Sequence, residues 1–256
     1  MISVSLFKKK CVGVLSEFSK KAYQRKRAFT GSNTETLYMN TEKLKADAII
    51  FDLDGTIVNS QDAYSHAAKT AFKEMGLEPP TTQTILQIPK RLEQKLPIGD
   101  IVPTDRTRFL DVYLKTFYAV TAEKTKPIPK IHVALEGLQL KAKLAVITMR
   151  YFPKAKVAEE LQKFGLAKYF NVILTAEDTN KPKPSPEALK KALEIMDVKI
   201  CDCLIVGDSV IDIAAGKAAG AKTIAVLSGL YSKKELAKLN PDLILKDATK
   251  LLNFIS

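Results

Sequence analysis

The sequence predicts a doubly wound α/β domain, a parallel sheet with helices on both faces, carrying a smaller helical subdomain inserted after the first strand. Three observations point there. Short apolar runs without strict alternation recur from residue 46 onward, as strands covered on both faces require. Helical stretches lie between the runs, and that alternation favours parallel strands joined by right-handed crossovers. The interval between the first run and the second is far longer than the others and has helical stripes of its own. A chain of 256 residues, 46% of them hydrophobic, can bury a substantial core and a subdomain besides.

In chain order, residues 1–45 stand apart as a basic extension. Residues 1–38 hold eight basic side chains against two acidic ones, which is half of the net +12 of the whole chain. Phe7, Cys11, Val14, Phe18 and Ala22 keep helical spacing, and Thr30–Thr34 reads as a loop. Several readings compete here: a basic arm for nucleic acid or an anionic membrane, an organellar targeting peptide, an over-extended start with Met39 the true first residue, or a solvated extension. No run of about 18 apolar residues exists and the secretory pattern is missing, so the expected compartment is cytoplasmic, with organellar targeting the alternative. Three cysteines, Cys11, Cys201 and Cys203, make no disulfide framework. Cys203 opens an apolar run and reads as strand core rather than a metal ligand.

Strands are expected at Ala48–Phe51, Leu144–Ile147, Val172–Leu174, Leu204–Val206, Thr223–Leu227 and Leu243–Leu245. Val157, Leu161 and Phe164 mark a helix that stops at Gly165. Ser185-Pro186 opens another that runs to Met196, and Ile211–Ala219 is small and apolar enough to pack closely on a sheet. These segments place a catalytic core at 46–60 and 131–256. The helical insertion falls at 61–130, with stripes led by Tyr64, Ala67 and Ala71 and by Phe109, Tyr113 and Phe117, and Pro127-Ile-Pro129 as its return linker.

Open α/β sheets bind ligands beyond the carboxyl ends of their strands. The residues just past the apolar runs are Asp52 and Asp54, Thr148, Lys181 somewhat later, then Asp208 and Asp212. Carboxylates gathered at one edge repel unless a cation joins them, and a hard divalent ion with oxygen ligands, Mg²⁺ above all, suits that set.

Asp52-Leu-Asp54-Gly-Thr56 resembles the first motif of the haloacid dehalogenase-like superfamily. Val146-Ile-Thr148 is similar to the second, Lys181-Pro-Lys-Pro-Ser-Pro186 to the third, and Gly207-Asp208-Ser209-Val-Ile-Asp212 to the fourth. A chance match to the first motif alone has a probability on the order of 10⁻³ at average residue usage. The resemblance covers residues 46–256 and is closest to the phosphoglycolate phosphatase-like members with a helical cap. It implies a Mg²⁺-dependent phosphatase for a small phosphorylated metabolite. Asp52 would be the nucleophile, forming an aspartyl-phosphate, and Asp54 the general acid and base. Thr148 would hold the phosphoryl oxygens and Lys181 would offset charge, with Lys183 as the rival lysine. The metal would lie among Asp52, Asp54 (through its backbone carbonyl), Asp208 and Asp212, the last as an outer ligand or hydrogen-bond acceptor.

Two positions depart from the family pattern. Met149-Arg150 follows Thr148 where Asn and Lys are frequent, and Asn59 stands where an acid is common. Arg150 is open to two readings, contact with an anionic substrate or a surface salt bridge. The cap cations Lys90, Arg91, Lys95, Arg106 and Arg108 are candidates to face a carboxylate or second phosphate, beside the plainer reading of a solvated face. His66 and His132 are isolated and take no role. Asp54 argues against a dehalogenase, whereas a sugar-phosphate mutase or a pyrophosphatase on the same fold stays open. A binding protein that uses its basic arm on RNA or membrane is outweighed by the complete catalytic set.

Overall fold

The computed structural model describes residues 43–256. The expectations for the basic arm, its helical stripe and Cys11 lie outside the described residues. The body begins at Leu44, whose backbone pairs with Ile255 beside the C-terminus, so the described chain joins the core slightly earlier than the boundary at residue 45.

Eight strands are present among the described residues. They are β1 (Ala48–Phe51), β2 (Val58–Asn59), β3 (Lys126–Pro127), β4 (Lys143–Ile147), β5 (Val172–Leu174), β6 (Cys203–Gly207), β7 (Lys222–Val226) and β8 (Leu243–Leu245). Six of them form one sheet in the order β5-β4-β1-β6-β7-β8, with every pairing parallel. The expected strands all occur, within a residue or so at each end, where assignments ordinarily differ.

The period of two along each strand explains why the runs are continuously apolar. Ile49, Phe51, Leu144, Val146, Leu204 and Val206 enter one hydrophobic cluster. Ala48, Ile50, Ala145, Ile147, Cys203 and Ile205 enter another on the opposite face. Helices Ile131–Gln139 and Lys154–Lys163 cover the first face through Leu135, Leu138, Val157 and Leu161. Helices Glu187–Met196 and Val210–Ala219 cover the second. The helix at 187 starts one residue later than the Ser-Pro signal suggests, and the Ser185 hydroxyl accepts the Glu187 N–H. Cys203 is buried in this core, as its apolar run requires.

β1 leads towards β4 on one side, and β6 leads towards β7 on the other. The connections therefore diverge between two neighbouring strands, and a crevice opens at their carboxyl ends. Asp52 and Asp208 follow those two strands directly.

Between β2 and β3 the chain forms helices Gln61–Glu74, Thr82–Ile85, Gln87–Glu93 and Arg106–Lys124. The two longer ones pack together around Ala67, Ala71, Phe72, Phe109, Tyr113 and Phe117, a cluster separate from both faces of the sheet. The expected return linker is itself ordered: Val58 pairs with Pro127 and Asn59 with Lys126, so a short antiparallel ribbon closes the base of the insertion.

Phe109 is fully buried there, edge-on to Phe72 at 4.9 Å between ring centres. Phe109→Ala is expected to destabilise the protein by about 3–5 kcal/mol. Urea unfolding followed by circular dichroism measures the loss, and a change under about 1 kcal/mol would show that the insertion lacks a packed core of its own.

Candidate active site

Asp52 and Asp208 are delivered to the crevice by strand ends. β1 ends at Phe51, and the Asp52 N–H donates to Val206 O at 2.9 Å, which keeps the residue at the sheet edge. Past β6, Asp208 and Asp212 flank Ser209, the cap of helix Val210–Ala219. The Ser209 hydroxyl accepts the Asp212 N–H, and Asp212 in return accepts the Ser209 N–H at 3.2 Å and its hydroxyl at 2.8 Å. The capping box thus fixes one oxygen of Asp212 and leaves the other facing the crevice.

The lysine at the site is Lys183, a correction to the expectation for Lys181. Lys181 is exposed, whereas Lys183 is buried with its Nζ 2.6 Å from Asp52, 2.6 Å from Asp212 and 2.9 Å from Ile147 O. Both lysines precede proline, so the local pattern is the same at each. The path of the loop after β5 decides which side chain turns inward.

Asp52, Asp208 and Asp212 bring carboxylate oxygens within 4.8 Å of one another. Lys183 offsets one of the three charges, and two formal negative charges remain. Burial raises the Asp52 carboxyl to about 8, against the pull of Lys183 and with the push of Asp212 and Asp54. Burial likewise raises Asp208 well above the usual carboxylate range, with Asp52 and Asp212 adding to it. Burial opposes the charge on Lys183, but Asp212 and Asp52 outweigh it and hold the ammonium protonated.

The donor set fits a divalent cation. All three groups are hard carboxylates, and glycines make room for Asp208. A side chain at Gly229 would meet Asp208 Oδ2 at 1.7 Å, and one at Gly55 (φ +89°) would meet it at 2.6 Å. Asp208 also accepts from Thr56 Oγ1 at 3.1 Å.

Asp54 belongs to a second charged group. Its carboxylate accepts two bonds from Arg150, Nε at 2.8 Å and Nη2 at 2.7 Å, and a short one from Ser60. The same guanidinium reaches Glu160 at 2.7 Å through Nη1. Arg150 is 4% exposed, so the structure corrects one expectation for it: its ion pairs, to two acids, are buried and not on the surface. Glu160 was missed, although it lies on the helical stripe of Val157, Leu161 and Phe164 and so had to face inward. The Asp54 side chain stands outside the group of three carboxylates, which leaves its backbone carbonyl as the metal contact to consider.

Thr148 lies at the end of β4, is buried, and accepts the Arg150 N–H at 3.2 Å. A cavity of about 390 Å³ opens between this edge and the helical insertion. Asp52, Asp54, Thr148 and Asp208 are on its wall, facing Tyr64, Tyr113 and Glu93 from the insertion. Glu93, also missed, accepts from Tyr231 Oη at 2.7 Å. None of the five cap cations lines the cavity: Lys90 pairs with Glu235 at 2.6 Å, and Arg91 pairs with Asp100.

A family model described as haloacid dehalogenase-like hydrolase matches residues 49–226. A phosphoglycolate phosphatase from Aquifex aeolicus is 33% identical over 182 residues, covering 71% of this chain and 84% of its own. The pyrophosphatase PpaX of Halalkalibacterium halodurans is 26% identical over 226 residues, covering 83% and 98%. Among solved structures, a haloacid dehalogenase-like family hydrolase from Streptococcus pneumoniae aligns with a TM-score of 0.69 at 21% identity, covering 82% of this chain and 98% of its own.

Burial lifts the Glu93 carboxyl from its ordinary 4.5 to about 7, against the hydrogen bond from Tyr231. A folded-state value above the unfolded one gives stability that is present below pH 4.5 and is lost as pH rises through about 7. Glu93→Gln cannot ionise. In chelator it is expected to exceed the wild type in stability by about 1–3 kcal/mol at pH 8, and by clearly less at pH 5, in paired urea unfolding curves. A gain of equal size at both values would rule out ionisation of Glu93 as its cause.

Proposed function

Because the chain belongs to the haloacid dehalogenase-like hydrolases, and is a phosphatase of that family, we propose that it hydrolyses a small-molecule phosphomonoester through an aspartyl-phosphate on Asp52. The observation that carries this reading is Asp52 itself. It stands at the crevice of the sheet, on the cavity wall, with one oxygen held by Lys183 and its partner acids Asp208 and Asp212 within ligand distance. The relatives whose names specify phosphoglycolate or pyrophosphate cleavage support phosphoryl transfer to water as the reaction class.

Asp52, Asp208 and Asp212, with the backbone carbonyl of Asp54, would hold the metal, for which we propose Mg²⁺. When bound, it offsets the charge of the phosphate and of Asp52, so that an anionic nucleophile can approach an anionic ester. The remaining roles belong to the chain. Asp52 attacks phosphorus while the bond to the alcohol oxygen breaks, and Asp54 gives that oxygen its proton. A water then attacks the aspartyl-phosphate, Asp54 takes the proton back, and phosphate leaves. Arg150 and Ser60 position Asp54 for both transfers. Lys183 orients Asp52 and balances charge on the transferring group, and Thr148 donates to the phosphoryl oxygens.

Asp52→Asn is expected to lower Mg²⁺-dependent phosphate release by at least about a thousandfold with the melting temperature retained. Lys183→Met should lower kcat/KM by at least about a hundredfold, whereas Lys181→Met should stay within about twofold of wild type. EDTA should stop release and added Mg²⁺ restore it. Near-normal activity in Asp52→Asn would refute the nucleophile, and a larger loss in Lys181→Met than in Lys183→Met would reverse the lysine assignment.

A further inference from the structure

The wall of the cavity away from the carboxylates says what kind of alcohol the phosphate is attached to. The space, about 390 Å³, is within the range of small-molecule sites, about 300–1,000 Å³. A two-carbon ester or pyrophosphate would leave most of it empty. The far wall is aromatic and aliphatic: Tyr64, Leu92, Leu110, Tyr113, Phe117 and Tyr118. Tyr64 and Phe117 stack on each other at 4.9 Å and 11°, so this wall is a packed apolar surface.

A second anionic group on the substrate has little to meet there. Among the described residues the one cation on the wall is Arg150, and four of its five N–H groups already bond Asp54 and Glu160. Glu93 adds an acid to the same wall, which offers no countercharge to a carboxylate or a second phosphate. Burying an unpaired anion is costly, so this lining selects against one.

We propose that the substrate is a phosphomonoester of an uncharged alcohol bearing an apolar group, seated against the aromatic and aliphatic wall of the insertion. The proposal rests on the phosphatase reading above and narrows it away from phosphoglycolate and pyrophosphate.

The test measures kcat/KM of the full chain with Mg²⁺ on benzyl phosphate, 2-phosphoglycolate, pyrophosphate and, as an activated reporter, p-nitrophenyl phosphate. Benzyl phosphate and phosphoglycolate are both alkyl esters, so leaving-group acidity does not decide between them. Benzyl phosphate is expected to exceed phosphoglycolate and pyrophosphate by at least about tenfold. Leu114, exposed at the rim of the cavity, tolerates a charge, and Leu114→Lys should move the benzyl-to-glycolate ratio towards phosphoglycolate by about tenfold. Equal or greater rates on phosphoglycolate or pyrophosphate, or an unmoved ratio in Leu114→Lys, would overturn the proposal. Release from p-nitrophenyl phosphate alone would overturn it and leave the phosphatase standing. Release from none of the four would remove both.

Discussion

Three carboxylates at one sheet edge repel one another, and most of the surrounding structure answers to that repulsion. Asp52 and Asp208 are brought together because β1 and β6 are neighbours in the sheet, and Asp212 comes with the helix that follows β6. Lys183 holds Asp52 and Asp212 in one grip, and burial makes that grip stronger than a surface pair would be. The ammonium leaves part of the charge unbalanced, and the raised Asp52 and Asp208 carboxyls show it. A site of this kind gains stability from a dication and affinity for one from its own excess charge.

Arg150 solves the same problem for a second pair of acids. Its fork joins the loop after β1, the end of β4 and helix Lys154–Lys163, so one side chain ties three elements by charge-assisted bonds. It also lies 5.5 Å from the Phe117 ring centre, where a cation faces an aromatic wall of the insertion. A lysine at this position would carry the charge but not the fork.

The insertion meets the core through contacts of another kind. Lys90 pairs with Glu235 and lies 4.5 Å over the Tyr231 ring, while Tyr231 donates to Glu93. Glu235 is more than a third exposed, so its pair adds little stability and is readily broken. The insertion keeps its own core, a two-residue ribbon at its base and polar contacts at its rim. Of its basic side chains, Lys90 serves these contacts, and Arg91 pairs with Asp100 inside the insertion.

Much of the fold was legible because parallel strands buried on both faces are continuously apolar, and each run ended at a residue with chemistry. Asp52, Asp208 and Thr148 could be read that way. So could the insertion, since Phe109, Tyr113 and Phe117 repeat at helical spacing. The short helices Thr82–Ile85 and Gln87–Glu93 escaped, being too brief for a period to register, and Glu93 escaped with them. The sequence by itself determined which acids follow which strands and the separate helical core. Only the tertiary structure decided between Lys181 and Lys183, committed Arg150 to Asp54 and Glu160, and turned the cap cations away from the cavity. Those choices depend on how a loop winds and on which charges meet across distant segments, and a local pattern of residues carries neither.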